Sequence, residues 1–185
     1  WIHDHPKTPN KNSSDDEIGI TIKGSNSFIY LNDNRKILSD SFMLALSGDD
    51  GYASLKHSNG IADMTMKNGL FYIEGKNFNA QFMENIFAYS DFIGGRFSFT
   101  LKGQNDIYEG LMRVEKVTLK QFKLLTNILA FTDTLSTLAS FSLPNYNQKG
   151  LFVNDAYAHF TYQNNVFDID TLSINSPELQ MSGNA

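Results

Sequence analysis

Chemistry in this chain would have to start from four histidines, a scatter of carboxylates and many serines, because the sequence contains no cysteine. His3 and His5 flank Asp4, and an H-D-H triplet is one way to hold a metal ion. It sits in a polar, proline-containing arm, where two histidines at i, i+2 have no preorganisation, so it reads as a solvated terminus. His57 and His159 belong to no H-x-x-x-H or H-E-x-x-H spacing, and G-x-S-x-G is missing. His159 lies between Ala158 and Phe160 in a strand-like run, as a half-buried or solvent-facing strand histidine does. Asp168 and Asp170 alternate in VFDID as a carboxylate pair would, but alternation with Phe167 and Ile169 makes them the polar face of a strand. Gly94-Gly95 is a lone pair at a helix-to-strand junction, with a conformational role rather than a phosphate-binding one. The expectation is a protein that is not an enzyme and needs no metal or cofactor.

The aromatic and aliphatic positions carry more. Phe97, Phe99, Leu101, Phe160 and Tyr162 each fall on one side of an alternating strand. They can line an apolar groove or fill a core beneath helices, and periodicity does not separate the two. With 41% hydrophobic residues and 13% aromatics the chain can bury a core. A net charge of −5 and no run of Lys or Arg argue against nucleic acid as a partner. No apolar run approaches the ~20 residues that span a bilayer as a helix.

The positioning elements follow from the period. Residues 1–16 read as a flexible N-terminal arm and 17–185 as a single elongated β-rich domain. From Glu17 the period is two: EIGITIK, then SFIYLN after a turn at Gly24-Ser25-Asn26, then SFMLALSG, YASLKH, IADMTMKNG and LFYIEGK. GDDG, SNG and KNG are turn clusters between them. In NAQFMENIFAYS the apolar residues Phe82, Met83, Ile86 and Phe87 take helical spacing. Asn79 is placed to cap that helix, with Phe78 and Met83 as a hydrophobic staple. Strands return at GGRFSFTLKG and IYEGLMRVEKV. A second helix is expected over TLKQFKLLTNILAF, with Thr118 and Gln121 as a capping box, Val117 and Phe122 as a staple, and a short second piece, DTLSTLASF. The strands then resume as GLFVNDAYAHFTY, VFDIDTLSI and LQMSGNA. Past Asp170 the apolar phase flips to Leu172 and Ile174, which predicts a bulge or bend.

The fold class is therefore β-rich α+β: a curved antiparallel meander, groove-like, with two short amphipathic helical segments covering or capping it. One phrase is written twice. NIFAYSD (Asn85–Asp91) and NILAFTD (Asn127–Asp133) each end a helical segment, and each is preceded by a strand, GLFYIE or GLMRVE. A strand pair with one apolar face needs covering, and a short helix with an apolar stripe can cover it, so the unit recurs as the sheet grows.

The second half resembles a known family. Gly110-Leu111, Val117-Thr118-Leu119, Leu124-Leu125 with Ile128-Leu129, Gly150-Leu151-Phe152, Ala156 to Phe160, and Ser176-Pro177 through Gly183 follow the pattern of the AsmA-like C-terminal region of Gram-negative envelope proteins. On this reading 17–105 is meander plus first helix and 106–185 the AsmA-like unit. The chain, opening on Trp1 and closing on a strand-like phrase, reads as a fragment of a longer protein.

The resemblance implies a periplasmic stretch of an inner-membrane-anchored protein, similar to bridge-like lipid-transfer proteins. Its apolar sheet face would bind phospholipid or other acyl-chain lipids on their way between inner and outer membranes. Other envelope proteins are further partners. The alternative is a non-catalytic envelope scaffold or assembly module with a closed core and a protein partner at a strand edge.

Overall fold

A computed structural model describes residues 19–32, 35–87, 91–120, 150–164, 166–177 and 180–184. Its strands are β1 (Ile20–Asn32), β2 (Arg35–Ser47), β3 (Asp50–His57), β4 (Gly60–Lys67), β5 (Leu70–Phe78), β6 (Phe92–Gln104), β7 (Ile107–Leu119), β8 (Leu151–Gln163), β9 (Val166–Asn175) and β10 (Gln180–Asn184). They form one antiparallel sheet in sequence order, with β1 and β10 at its two open edges. One helix, α1 (Ala80–Phe87), is inserted between β5 and β6. The sheet is open and curled.

A meander of this kind needs tight turns, and the sequence supplies them. Asn68-Gly69 and Asn105-Asp106 have positive φ at both central positions, which matches the right-handed twist of the flanking strands. The turns after β2, β4, β6 and β8 all lie at one end of the sheet. The longer connections, including α1 and residues 120–149, leave from the opposite end. The second expected helix falls almost wholly in residues 121–149, outside the described residues. Its expected start does not hold, because β7 runs on through Thr118 and Leu119.

The first expected turn is also corrected. Gly24-Ser25-Asn26 lies inside β1, which is continuous from Ile20 to Asn32 and pairs with β2 on either side of it. Gly24 faces Phe42, whose ring occupies the space a Cβ would take, and Asn26 sits at φ 48 without ending the strand. The triplet has turn composition, but the cross-strand ring is what demands the glycine.

The helix begins as its sequence dictates. The Asn79 side-chain oxygen accepts the Phe82 backbone N–H at 2.9 Å, and the Asn79 carbonyl accepts that of Met83 at 3.3 Å. Phe78, Phe82 and Met83 are buried, and Phe78 and Phe82 stack with centroids 4.0 Å apart. Burying side chains of this size contributes roughly 1.5–3 kcal/mol each. They hold α1 against the sheet more firmly than eight residues of intrinsic helix propensity could. The helix touches both β2 and β6. In a flat sheet those strands would stand about 19 Å apart, wider than a helix of about 10–12 Å. The intervening strands therefore wrap around α1.

Candidate functional site

Residues directly opposed in an antiparallel sheet share a face, so the register reads out the faces strand by strand. One row leads through Ile22, Leu44, Ala53, Met64 and Ile73 from β1 to β5. It continues through Leu101, Gly110, Phe160 and Ile169 to β9. The adjacent row runs from Gly24 and Phe42 through Leu55, Ala62 and Gly75. It then passes Phe99, Met112 and Ala158 to Leu172. A third, nearer the turns, joins Ile20 and Leu46 to Phe71, Tyr108 and Tyr162. None of the three contains a charged residue. Together the three rows make an unbroken apolar band lying across the strands on the concave face.

Glycine keeps this band low. Gly75 faces Phe99, Gly103 faces Phe71, and Gly110 faces Phe160. At each, a Cβ would come within 2.4 Å or less of the opposing ring. The rings lie down over their glycine partners instead of standing up from the sheet. Above them a cleft of about 400 Å³ stays open, bordered by Met64, Ile73, Phe99, Leu101, Met112 and Phe160 from the sheet and by Met83, Ile86 and Phe87 from α1. That volume is in the range of small-ligand sites.

The five aromatic and aliphatic candidates separate on this geometry. Phe99, Leu101 and Phe160 border the cleft. Tyr162 does not border it; it lies one row nearer the turns, 36% exposed and 5.9 Å from the Tyr108 ring. Phe97 is 1% exposed and packs edge-on against Phe92 at 5.2 Å, so it is core and not groove lining. The reason is local. β6 turns at Gly94 and Gly95, with φ of 66 and 94, and the side chain just after that bend is drawn under the helix.

The opposite face carries the described ion pairs other than that of His57 with Asp40. Arg96 donates to Glu115 at 2.8 Å and Arg113 to Asp155 at 2.8 Å. A longer chain crosses four neighbouring strands. Lys102 on β6 reaches Glu109 on β7 at 2.8 Å, and Glu109 reaches Nε2 of His159 on β8 at 3.0 Å. Nδ1 of His159 reaches Asp170 on β9 at 2.7 Å. The Asp170 carboxylate holds the His159 pKa above its ordinary value, against the opposing effect of burial, and Glu109 adds to it. The Lys102 hydrogen bond, then that of His159, holds Glu109 below the usual carboxylate range.

The expected bend lies at Asp170: His159 pairs with Thr171 and Phe160 with Ile169, leaving Asp170 as the extra residue of a bulge. That shift lets Ile169, Leu172 and Ile174 all be buried. Sequence reading did not join His159 to Asp170 or Glu109, because only the register brings β7, β8 and β9 side by side. The strand-interior glycines were the signal available for the groove.

His57 also has a structural setting. It lies 3.1 Å from Asp40 and stacks on Phe82. The Ser58 backbone N–H donated to Asp40, ahead of the charge of His57, lowers the Asp40 pKa. Among the described residues no group of three His, Cys, Asp or Glu is arranged to hold a metal ion. The His3-Asp4-His5 triplet lies outside them. No described helix is long and apolar enough to cross a membrane. No protein-family model, curated protein or solved structure matches the chain.

Proposed function

We propose that this chain is a non-catalytic, lipid-binding stretch of an AsmA-like periplasmic protein, whose concave sheet face holds acyl chains in phospholipid transport between the two membranes. The observation that carries the reading is the uncharged band crossing nine strands, with an open cleft above it. Eight strand spacings amount to about 38 Å of arc. The band starts at the open edge strand β1, and the pairing of Leu172 with Gly183 extends its second row to the other edge strand, β10, so it can continue wherever the sheet continues. The described ion pairs lie on the opposite face except His57–Asp40, which stands beside α1 outside the three rows, so the rows themselves put no charge in the path of a sliding hydrocarbon tail. The family resemblance, Gly110-Leu111 through Gly183, supplies the periplasmic setting and the phospholipid.

Native mass spectrometry with lipid extraction of the purified chain tests this. Phospholipid should co-purify and be lost in Leu101→Glu and Met112→Glu variants that keep the parent far-ultraviolet circular dichroism. A scaffold with a closed core predicts the reverse. No lipid would be bound, and filling the cleft with Ala53→Trp would raise stability without displacing anything.

A further inference from the structure

The β1–β2 hairpin reaches beyond its neighbours. Pairing of β2 with β3 stops at Ser41 and Lys56, so the segments 27–32 and 35–39 are bonded only to each other as a two-stranded ribbon. One part of the ribbon is occupied: Leu31 and Ile37 border the cleft beside Ile86 and Phe87. The rest is bare. Phe28 is 57%, Tyr30 72% and Leu31 53% exposed, a concentration of large apolar side chains within four residues. Single exposed hydrophobics are ordinary, but a cluster on a protruding ribbon marks a contact surface. Cations stand directly behind it. Lys36 lies 5.0 Å over the Phe28 ring and Arg35 is exposed, while Asp33 is the carboxylate nearest them in the sequence.

We infer that this ribbon is a membrane-docking element that inserts Phe28, Tyr30 and Leu31 into the interfacial layer of an anionic bilayer, with Arg35 and Lys36 against the lipid headgroups. Phe and Leu bury in the acyl boundary, and Tyr keeps its hydroxyl at headgroup depth. The Lys36 ammonium sits over the Phe28 ring, so it is carried to headgroup depth together with that ring. Each cation brought to an anionic surface strengthens binding about fivefold. The placement also gives the element a purpose. Leu31 belongs to both the exposed tip and the wall of the cleft, so a tail leaving the bilayer beside the ribbon meets an apolar side chain that leads into the cleft. This purpose rests on the lipid-groove reading; the docking itself does not.

Flotation of the full chain with phosphatidylcholine vesicles, alone and with phosphatidylglycerol, tests the inference. The chain should float with both, at least tenfold more strongly when phosphatidylglycerol is present. Arg35→Glu with Lys36→Glu should abolish the difference. Phe28→Ser, Tyr30→Ser and Leu31→Ser together should remove flotation while leaving the melting temperature nearly unchanged, since all three side chains are exposed. A Tyr30→Trp variant should show a blue-shifted emission on vesicles. Flotation that survives the serine variant overturns the inference. So does a parent chain that fails to float, or a serine variant that turns a dimer into a monomer. Co-purified lipid without flotation sinks the docking element alone; flotation without lipid uptake sinks the groove reading alone.

Discussion

Replacing Gly110 by alanine should destabilise the protein only while Phe160 is present. An added Cβ would lie 2.3 Å from the Phe160 Cζ and 2.8 Å from both Cε atoms, far inside van der Waals contact. The ring must tilt away from the sheet, and overpacking of this kind costs about 1–3 kcal/mol. Against that stands a gain, because alanine restricts the unfolded chain more than glycine does, worth about 0.4–1 kcal/mol where the backbone is compatible. Gly110 has ordinary strand geometry, as it is absent from the positive-φ positions. In a Phe160→Ala background the clash is gone and the gain should remain. The gain is common to both backgrounds and cancels, so the coupling energy of the cycle is that of the clash, about 1–3 kcal/mol, with Gly110→Ala changing sign between backgrounds. Urea unfolding of the four proteins measures it. Additivity within about 0.5 kcal/mol would refute the cross-strand ring packing. The same Gly110→Ala change should also reduce lipid uptake, since the displaced ring rises into the cleft.

Other consequences are simpler to state. His159 has a raised folded pKa, so its contribution is complete below its ordinary value of 6.5 and is lost as pH climbs through the raised value. The melting temperature of the parent should therefore exceed that of His159→Gln most near pH 6, and the gap should narrow towards pH 9. Asn79→Ala removes the cap of α1 and should cost about 1 kcal/mol, with Asn79→Ser recovering most of it in thermal unfolding. Phe97→Ala should cost about 3–5 kcal/mol because the ring is fully buried, while Leu101→Ala, half-exposed in the cleft, should cost much less yet lower lipid uptake more.

Local pattern determined a large part of this molecule. Alternation in FSFTLK and AHFTY, turn clusters such as KNG, and the Asn79 cap with its Phe78 and Met83 are properties of a few successive residues, so they can be read without knowing the fold. The bulge at Asp170 was legible for the same reason: a change of phase along one strand needs no partner to be seen. The antiparallel, groove-like meander follows from those parts.

What the tertiary structure decided is which side chains share a surface. Phe97 and Phe99 have the same phase on one strand, yet one is core and the other borders the cleft, because the bend at Gly94-Gly95 and the coverage by α1 act on only one of them. Gly24 looked like a turn residue until Phe42 was placed opposite it. The chain from Lys102 to Asp170 spans four strands and 69 positions of sequence, and no spacing rule links such residues. Periodicity assigns a side chain to a face. Whether that face is filled or left open depends on curvature and on what lies across it, and those are set by contacts between residues far apart in the chain.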